Sequence, residues 1–108
     1  MERTLKALTK MDGRVYVYLV NDEAGKAFLA QAEAEGLLFE DGAAPTSRPY
    51  ATVMAINHDS TLNYVGANGM IAFRAGADTI GGEKLIRVDY EKYVSGVENY
   101  RYTGKQTK

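Results

Sequence analysis

Between Arg14 and Val20 the chain lacks the alternation expected of a strand with one wet face. Val15, Val17 and Leu19 fall on one side of an extended run, and Tyr16, Tyr18 and Val20 fall on the other. Successive side chains of a strand point to opposite faces, so this run predicts a central strand covered on both sides by helix, by a partner, or by both. The period then changes. Asn21-Asp22 offers an N-cap and Glu23 places negative charge at the positive end of a helix, while Ala24, Phe28 and Ala32 recur every four residues beside Ala27. Gly36 is placed to end that helix in the left-handed conformation.

From Gly36 to Gly76 the pattern is that of a loop presented on strands. Gly-Leu-Leu-Phe-Glu-Asp-Gly is followed by Pro45-Thr-Ser-Arg48-Pro49, where two prolines exclude helix interior and central strand. Tyr50 to Asn57 reads as a strand, His58-Asp59-Ser60 as a turn, and Thr61 to Val65 as the returning strand. Gly66-Ala67-Asn68-Gly69 reads as a second turn, with Asn-Gly supplying positive φ, and Met70 to Arg74 as a third strand. Ala75 to Gly82 reads as a mobile loop and Glu83 to Asp89 as a strand. Asp89 then caps a short helix, 90 to 95, that Gly96 ends. Residues 1 to 12 are ambiguous: Leu5, Leu8 and Met11 suit a helix face and Asp12-Gly13 a hairpin turn, with a short strand or frayed start preferred. The expectation is one α+β domain over residues 1–108, with a mainly antiparallel sheet of about five strands. One helix follows the first main strand, a short helix lies near the C-terminus, and 103–108 form a flexible basic tail.

Composition narrows the functional classes. The 108 residues carry a net charge of −1 with both signs mixed along the chain, so no basic field recommends DNA as a partner. The last eight residues are the local exception, with Arg101, Lys105 and Lys108 and no acid. Cysteine is absent, which removes disulfides and thiolate chemistry. No apolar run approaches the ~20 residues of a membrane span and no signal-peptide pattern opens the chain, so a soluble intracellular protein is expected. The unusual count is eight tyrosines without a tryptophan. Tyrosine joins an apolar ring to a polar tip and suits surfaces that meet ligands or partners.

Few residues recommend catalysis. His58, the single histidine, lies in a turn beside Asn57 and Asp59 with no evident orienting partner. Asp22/Glu23 and Glu40/Asp41 are accounted for by helix capping and a polar turn. Gly66/Gly69 and Gly81/Gly82 lack the strand–loop–helix setting and the lysine of a phosphate loop. The chain therefore reads as one that binds without a cofactor or metal. Arg48, Phe73 and Arg101 are the candidates, since arginine grips phosphate with paired charge-assisted hydrogen bonds and an aromatic face stacks a base.

The ordered segments Ala-Glu-Gly-Leu-Leu-Phe, Asp-Gly-x-x-Pro-Thr, Leu-Asn-Tyr-Val-Gly, Gly-Met-Ile-Ala-Phe and Ile-Arg-Val-Asp-Tyr-Glu-Lys-Tyr-Val-Ser-Gly, spread over residues 14 to 102, resemble small phage and prophage proteins. The nearest resemblance is to the first-described class of Thoeris anti-defence proteins. These sequester cyclic ADP-ribose isomers made by bacterial TIR-domain enzymes, and members also hold cyclic oligonucleotide signals of the CBASS system. The resemblance implies a non-enzymatic sponge in the cytoplasm of an infected bacterial host. It implies a homo-oligomer of dimers, up to a hexamer, with ligands recessed at subunit contacts. It places the pocket arginine on Arg48, the base-stacking phenylalanine on Phe73 and a C-terminal arginine on Arg101. A position where a relative carries an amide falls on Glu83, whose carboxylate is unfavourable beside phosphates and so either contacts ribose hydroxyls or points away. The competing reading is a phage-encoded protein-binding inhibitor or assembly module. A weaker one is a small hydrolase using the acids at 40 and 41.

Overall fold

The computed structural model describes residues 3–102. Its centre is β1 (Arg14–Tyr18), which pairs antiparallel with β3 (Val53–Ile56) and parallel with β6 (Glu83–Asp89). β4 (Thr61–Tyr64) pairs antiparallel with β3, and β2 (Leu38–Phe39) joins β4 in parallel. β5 (Thr79–Ile80) pairs antiparallel with β6. The six strands run β2-β4-β3-β1-β6-β5, so the sheet is mixed, where a mainly antiparallel sheet of about five strands was expected. The helices are α1 (Leu5–Leu8), α2 (Asp22–Ala34), α3 (Ala67–Ala75) and α4 (Tyr90–Val94).

Both faces of β1 are buried by the chain itself. Val15, Val17 and Leu19 pack with Phe28 and Ala32 of α2 and with Met54, Leu62 and Val88. Tyr16 packs on the other face with Val53, Ala55 and Leu85 beneath Phe73 of α3. Helix covers Val15 to Val17 on both sides, whereas Tyr18 is half-buried and Val20 is 44% exposed.

α2 forms as its sequence suggests. Asn21 Oδ1 accepts from the Ala24 N–H at 2.8 Å, and Gly36 takes φ 87° so that Leu37 N–H reaches the Ala32 carbonyl at 2.9 Å. Gly25 lies under the Tyr50 ring, and a β-carbon there would run into that ring. Gln31 and Glu35 tie α1 and α4 to this helix. Glu35 oxygens accept from Leu5 N–H at 2.9 Å and Lys6 N–H at 2.8 Å, which anchors the start of α1. Gln31 donates to Glu35 at 2.8 Å and accepts from the Tyr90 hydroxyl at 2.7 Å, while Tyr93 donates to the Thr4 carbonyl at 2.6 Å.

Four local expectations are corrected. Met70 to Arg74 is helix, not strand: Gly66 starts α3, and Gly76 at φ 74° ends it with Ala77 N–H on the Ala72 carbonyl at 3.0 Å. A short apolar run such as Met-Ile-Ala-Phe fits either period, and here helix propensity and the second sheet face decide it. The Asn68-Gly69 turn does not exist; both residues lie inside α3, and Gly69 is needed because a β-carbon would come within 2.5 Å of Val65 Cγ1 and 3.0 Å of Tyr16 Oη. The loop 75 to 82 contains β5, joined to β6 by Gly81 (φ 59°) and Gly82 (φ 82°), the two positive φ values of a tight hairpin. Residues 5 to 8 form a short helix capped by Thr4, where a strand or frayed start was preferred. The tail 103–108 lies outside the described residues.

Two outcomes follow. Alanine is the better helix former by about 1 kcal/mol, yet Gly25→Ala should destabilise the domain by about 1–3 kcal/mol through overpacking on Tyr50, read from urea unfolding. Burial, with the Glu35 charge adding to it, pushes the Tyr90 phenol up to about 12. Its contribution to stability is complete below the ordinary tyrosine pKa near 10 and is lost as pH rises toward 12. A phenolate absorbance titration should therefore show a late phase that Tyr90→Phe removes.

Candidate functional site

Where β1 ends, β3 begins and α3 crosses above them, the structure opens a cleft of about 340 Å³, near the lower end of volumes that hold small ligands. Tyr18, Thr52, Val53 and Tyr102 line it together with Met70, Phe73 and Arg74 of α3. The last three are spaced i, i+3 and i+4, one face of a helix. Read as a strand, the same residues would put Phe73 and Arg74 on opposite sides.

The back of the cleft is a stack of rings. Tyr102 lies 4.7 Å from Phe73 at an interplanar angle of 23° and 4.5 Å from Tyr18, and Tyr18 is 6.3 Å from Phe73. Phe73 is only 1% exposed. The Arg87 guanidinium approaches the same stack, 5.8 Å from the Phe73 centroid and 5.9 Å from that of Tyr102, and donates to the Phe73 carbonyl at 3.3 Å. Arg87 thus meets the negative end of α3 and braces the stack. Tyr18 and Tyr102 are half-buried and carry the accessible ring surface. Burial, then the neighbouring Tyr102 and Asp89, push the Tyr18 phenol up. Arg74 is exposed at the rim. An apolar ring wall with a cation at its edge can hold a planar group that carries an anion.

The four residues expected to bind ligand are not brought together in one copy. Phe73 lines this cleft, as its back wall. Arg48 belongs to the opposite face of the sheet: its guanidinium lies 4.9 Å from the Phe39 ring and Nη2 donates to Asp41 Oδ2 at 2.6 Å. The hydrogen bond from Arg48 holds the Asp41 carboxyl below the usual range. Its loop is a 3₁₀ turn, Pro45–Ser47, fastened to α2 by the Thr46 N–H and hydroxyl donating to Glu33 Oε1 at 3.1 and 2.6 Å. Arg48 lines a second cleft of about 400 Å³ with Lys26, Leu29, Pro49 and Tyr50. Glu83 opens β6 and pairs with Arg14 at 3.5 Å, four strand residues or about 13 Å from the Tyr18 end. Arg101 is exposed, in a backbone bridge with Val88, one residue from Tyr102.

Tyr18, Tyr102, Met70 and Arg74 were missed. The tyrosine surplus was the available signal, but only the helical period of 67–75 shows which side chains join it. His58 is exposed, with Nδ1 2.9 Å from the Thr9 carbonyl oxygen. Among the described residues no group of three or more His, Asp or Glu side chains could hold a metal ion, and no helix is long and apolar enough to cross a membrane. Compared with known proteins, the chain matches no family model, no curated protein and no solved structure.

The Arg48–Asp41 contact has a direct check. A carboxyl with a depressed pKa contributes stability above its ordinary pKa and loses it as pH falls through the lowered value. Carboxyl NMR should find Asp41 still charged at a pH where an ordinary aspartate is protonating, and Arg48→Ala should move it part of the way back, because the Ala43 N–H still donates to Asp41 Oδ1 at 3.2 Å.

Proposed function

We propose that this protein binds and sequesters a cyclic nucleotide immune signal without cleaving it, as a phage anti-defence sponge in the cytoplasm of an infected bacterium. The ligand class in view is the cyclic ADP-ribose isomers of Thoeris, with CBASS cyclic oligonucleotides as the related class. The observation that carries this reading is the cleft of Tyr18, Phe73 and Tyr102 with Arg74 at its rim. Stacking a base on an aromatic surface contributes about 1–3 kcal/mol, and an arginine hydrogen bond to a phosphate about 1.5–3 kcal/mol. Such a signal presents both groups.

Homo-oligomerisation is part of the proposal, on a different ground from the apolar strand. The sheet separates Arg48 from Phe73, so a pocket that uses both is completed only between copies of the chain. The competing protein-binding reading draws on Ile71, 66% exposed on the outer side of α3.

Incubation with cyclic ADP-ribose isomers or cyclic trinucleotides, followed by heat denaturation and chromatography, separates the readings. A sponge releases the signal intact and a hydrolase releases products. A protein-binding module retains neither. In calorimetry Arg74→Ala should weaken binding by about tenfold to a hundredfold with the fold intact. Unchanged affinity would remove the rim cation from the site.

A further inference from the structure

The cleft has one wall that does not belong to the folded sheet and helices. Tyr102 reaches it on a segment that leaves α4 through residues 94 to 99, all exposed. Among the described residues the segment returns to β6 through these backbone contacts: Asp89 N–H donates to the Tyr100 carbonyl at 2.8 Å, Tyr102 N–H donates to the Arg87 carbonyl at 2.9 Å, and Arg101 bridges Val88. Among the described residues, the side chains of Tyr100 and Tyr102 hold it. Tyr100 packs edge-on against Tyr93 at 5.0 Å, under the Arg3 guanidinium at 4.9 Å. Tyr102 lies on both Phe73 and Tyr18.

We infer that Tyr102 is a ligand-contacting residue of this cleft, and that filling the cleft fastens the segment 100–102 onto β6. The inference rests on the sequestration reading and deepens it. Phe73, 1% exposed, has no free face for a base. A planar ring entering the cleft therefore meets Tyr18 and Tyr102. Because Tyr102 is carried on residues whose pairing with β6 is local among the described residues, a ligand touching it binds the docked segment and not the released one. A ligand with that preference shifts the population toward docking. The purine of a cyclic ADP-ribose isomer suits the ring wall and its phosphates suit Arg74.

Amide hydrogen exchange and calorimetry test this together on the full chain. Without ligand, the Asp89 and Tyr102 amides should exchange faster than the Val17 amide at the sheet centre, and Tyr102→Ala should accelerate them further without changing Val17. With a cyclic ADP-ribose isomer as the probe, both amides should slow in the wild type. Tyr102→Phe should bind like the wild type, and Tyr102→Ala should lose about tenfold or more in affinity, the size of one lost stacking contact. Wild-type affinity in Tyr102→Ala overturns the inference and leaves sequestration standing. Asp89 and Tyr102 amides as slow as Val17 without ligand, and indifferent to Tyr102→Ala, overturn the fastening. If the wild type binds neither cyclic ADP-ribose isomers nor cyclic trinucleotides, the sequestration reading falls and the ligand contact of Tyr102 falls with it.

Discussion

The fold follows from one requirement, that the middle of β1 be dry on both faces. Val15 and Val17 on one side and Tyr16 on the other leave no face for water, so a chain of this length must supply two covers. α2 supplies the first with Phe28, Leu29 and Ala32. α3 supplies the second with nine residues, and its closeness to the sheet depends on Gly69 standing over Tyr16. A helix that short cannot roof a six-stranded sheet. The ground left uncovered beside it is the cleft, so the candidate site is what remains when the second cover is only as long as it needs to be.

The sequence disclosed much of this and stopped where period became ambiguous. α2 was legible because cap, stripe and terminating glycine agree over thirteen residues. The central place of β1 was legible from its missing alternation. α3 was not, because Gly-Met-Ile-Ala-Phe is too short for apolar spacing to choose between periods 2 and 3.6, and Asn68-Gly69 imitates a turn. The two-residue strands β2 and β5 carry almost no local signal; they exist because β4 and β6 offer them backbone partners. Reading 70–74 in the wrong period also scattered Met70, Phe73 and Arg74, which the helix gathers. Phe73, named from the sequence, thus came without the residues that line the cleft with it.

Charge explains why Arg48 and Arg74 differ as candidates although both are loop-side or surface arginines. Arg48 already has a carboxylate at 2.6 Å and an aromatic face beneath it, so an incoming anion would have to displace Asp41. Arg74 stands at the rim of a ring-lined cleft. Arg87 has its task in the fold, spanning the end of α3 and the ring stack. The three arginines divide into one paired in a loop, one at an opening and one built into the frame.

The outer strands of the sheet, β2 and β5, are two residues each. A sheet usually exposes at its margins a row of unmet backbone donors and acceptors, onto which a neighbouring molecule can add a strand. Margins this short offer little template for such growth. Such margins favour a sheet that does not lengthen by edge-to-edge addition when many copies are present.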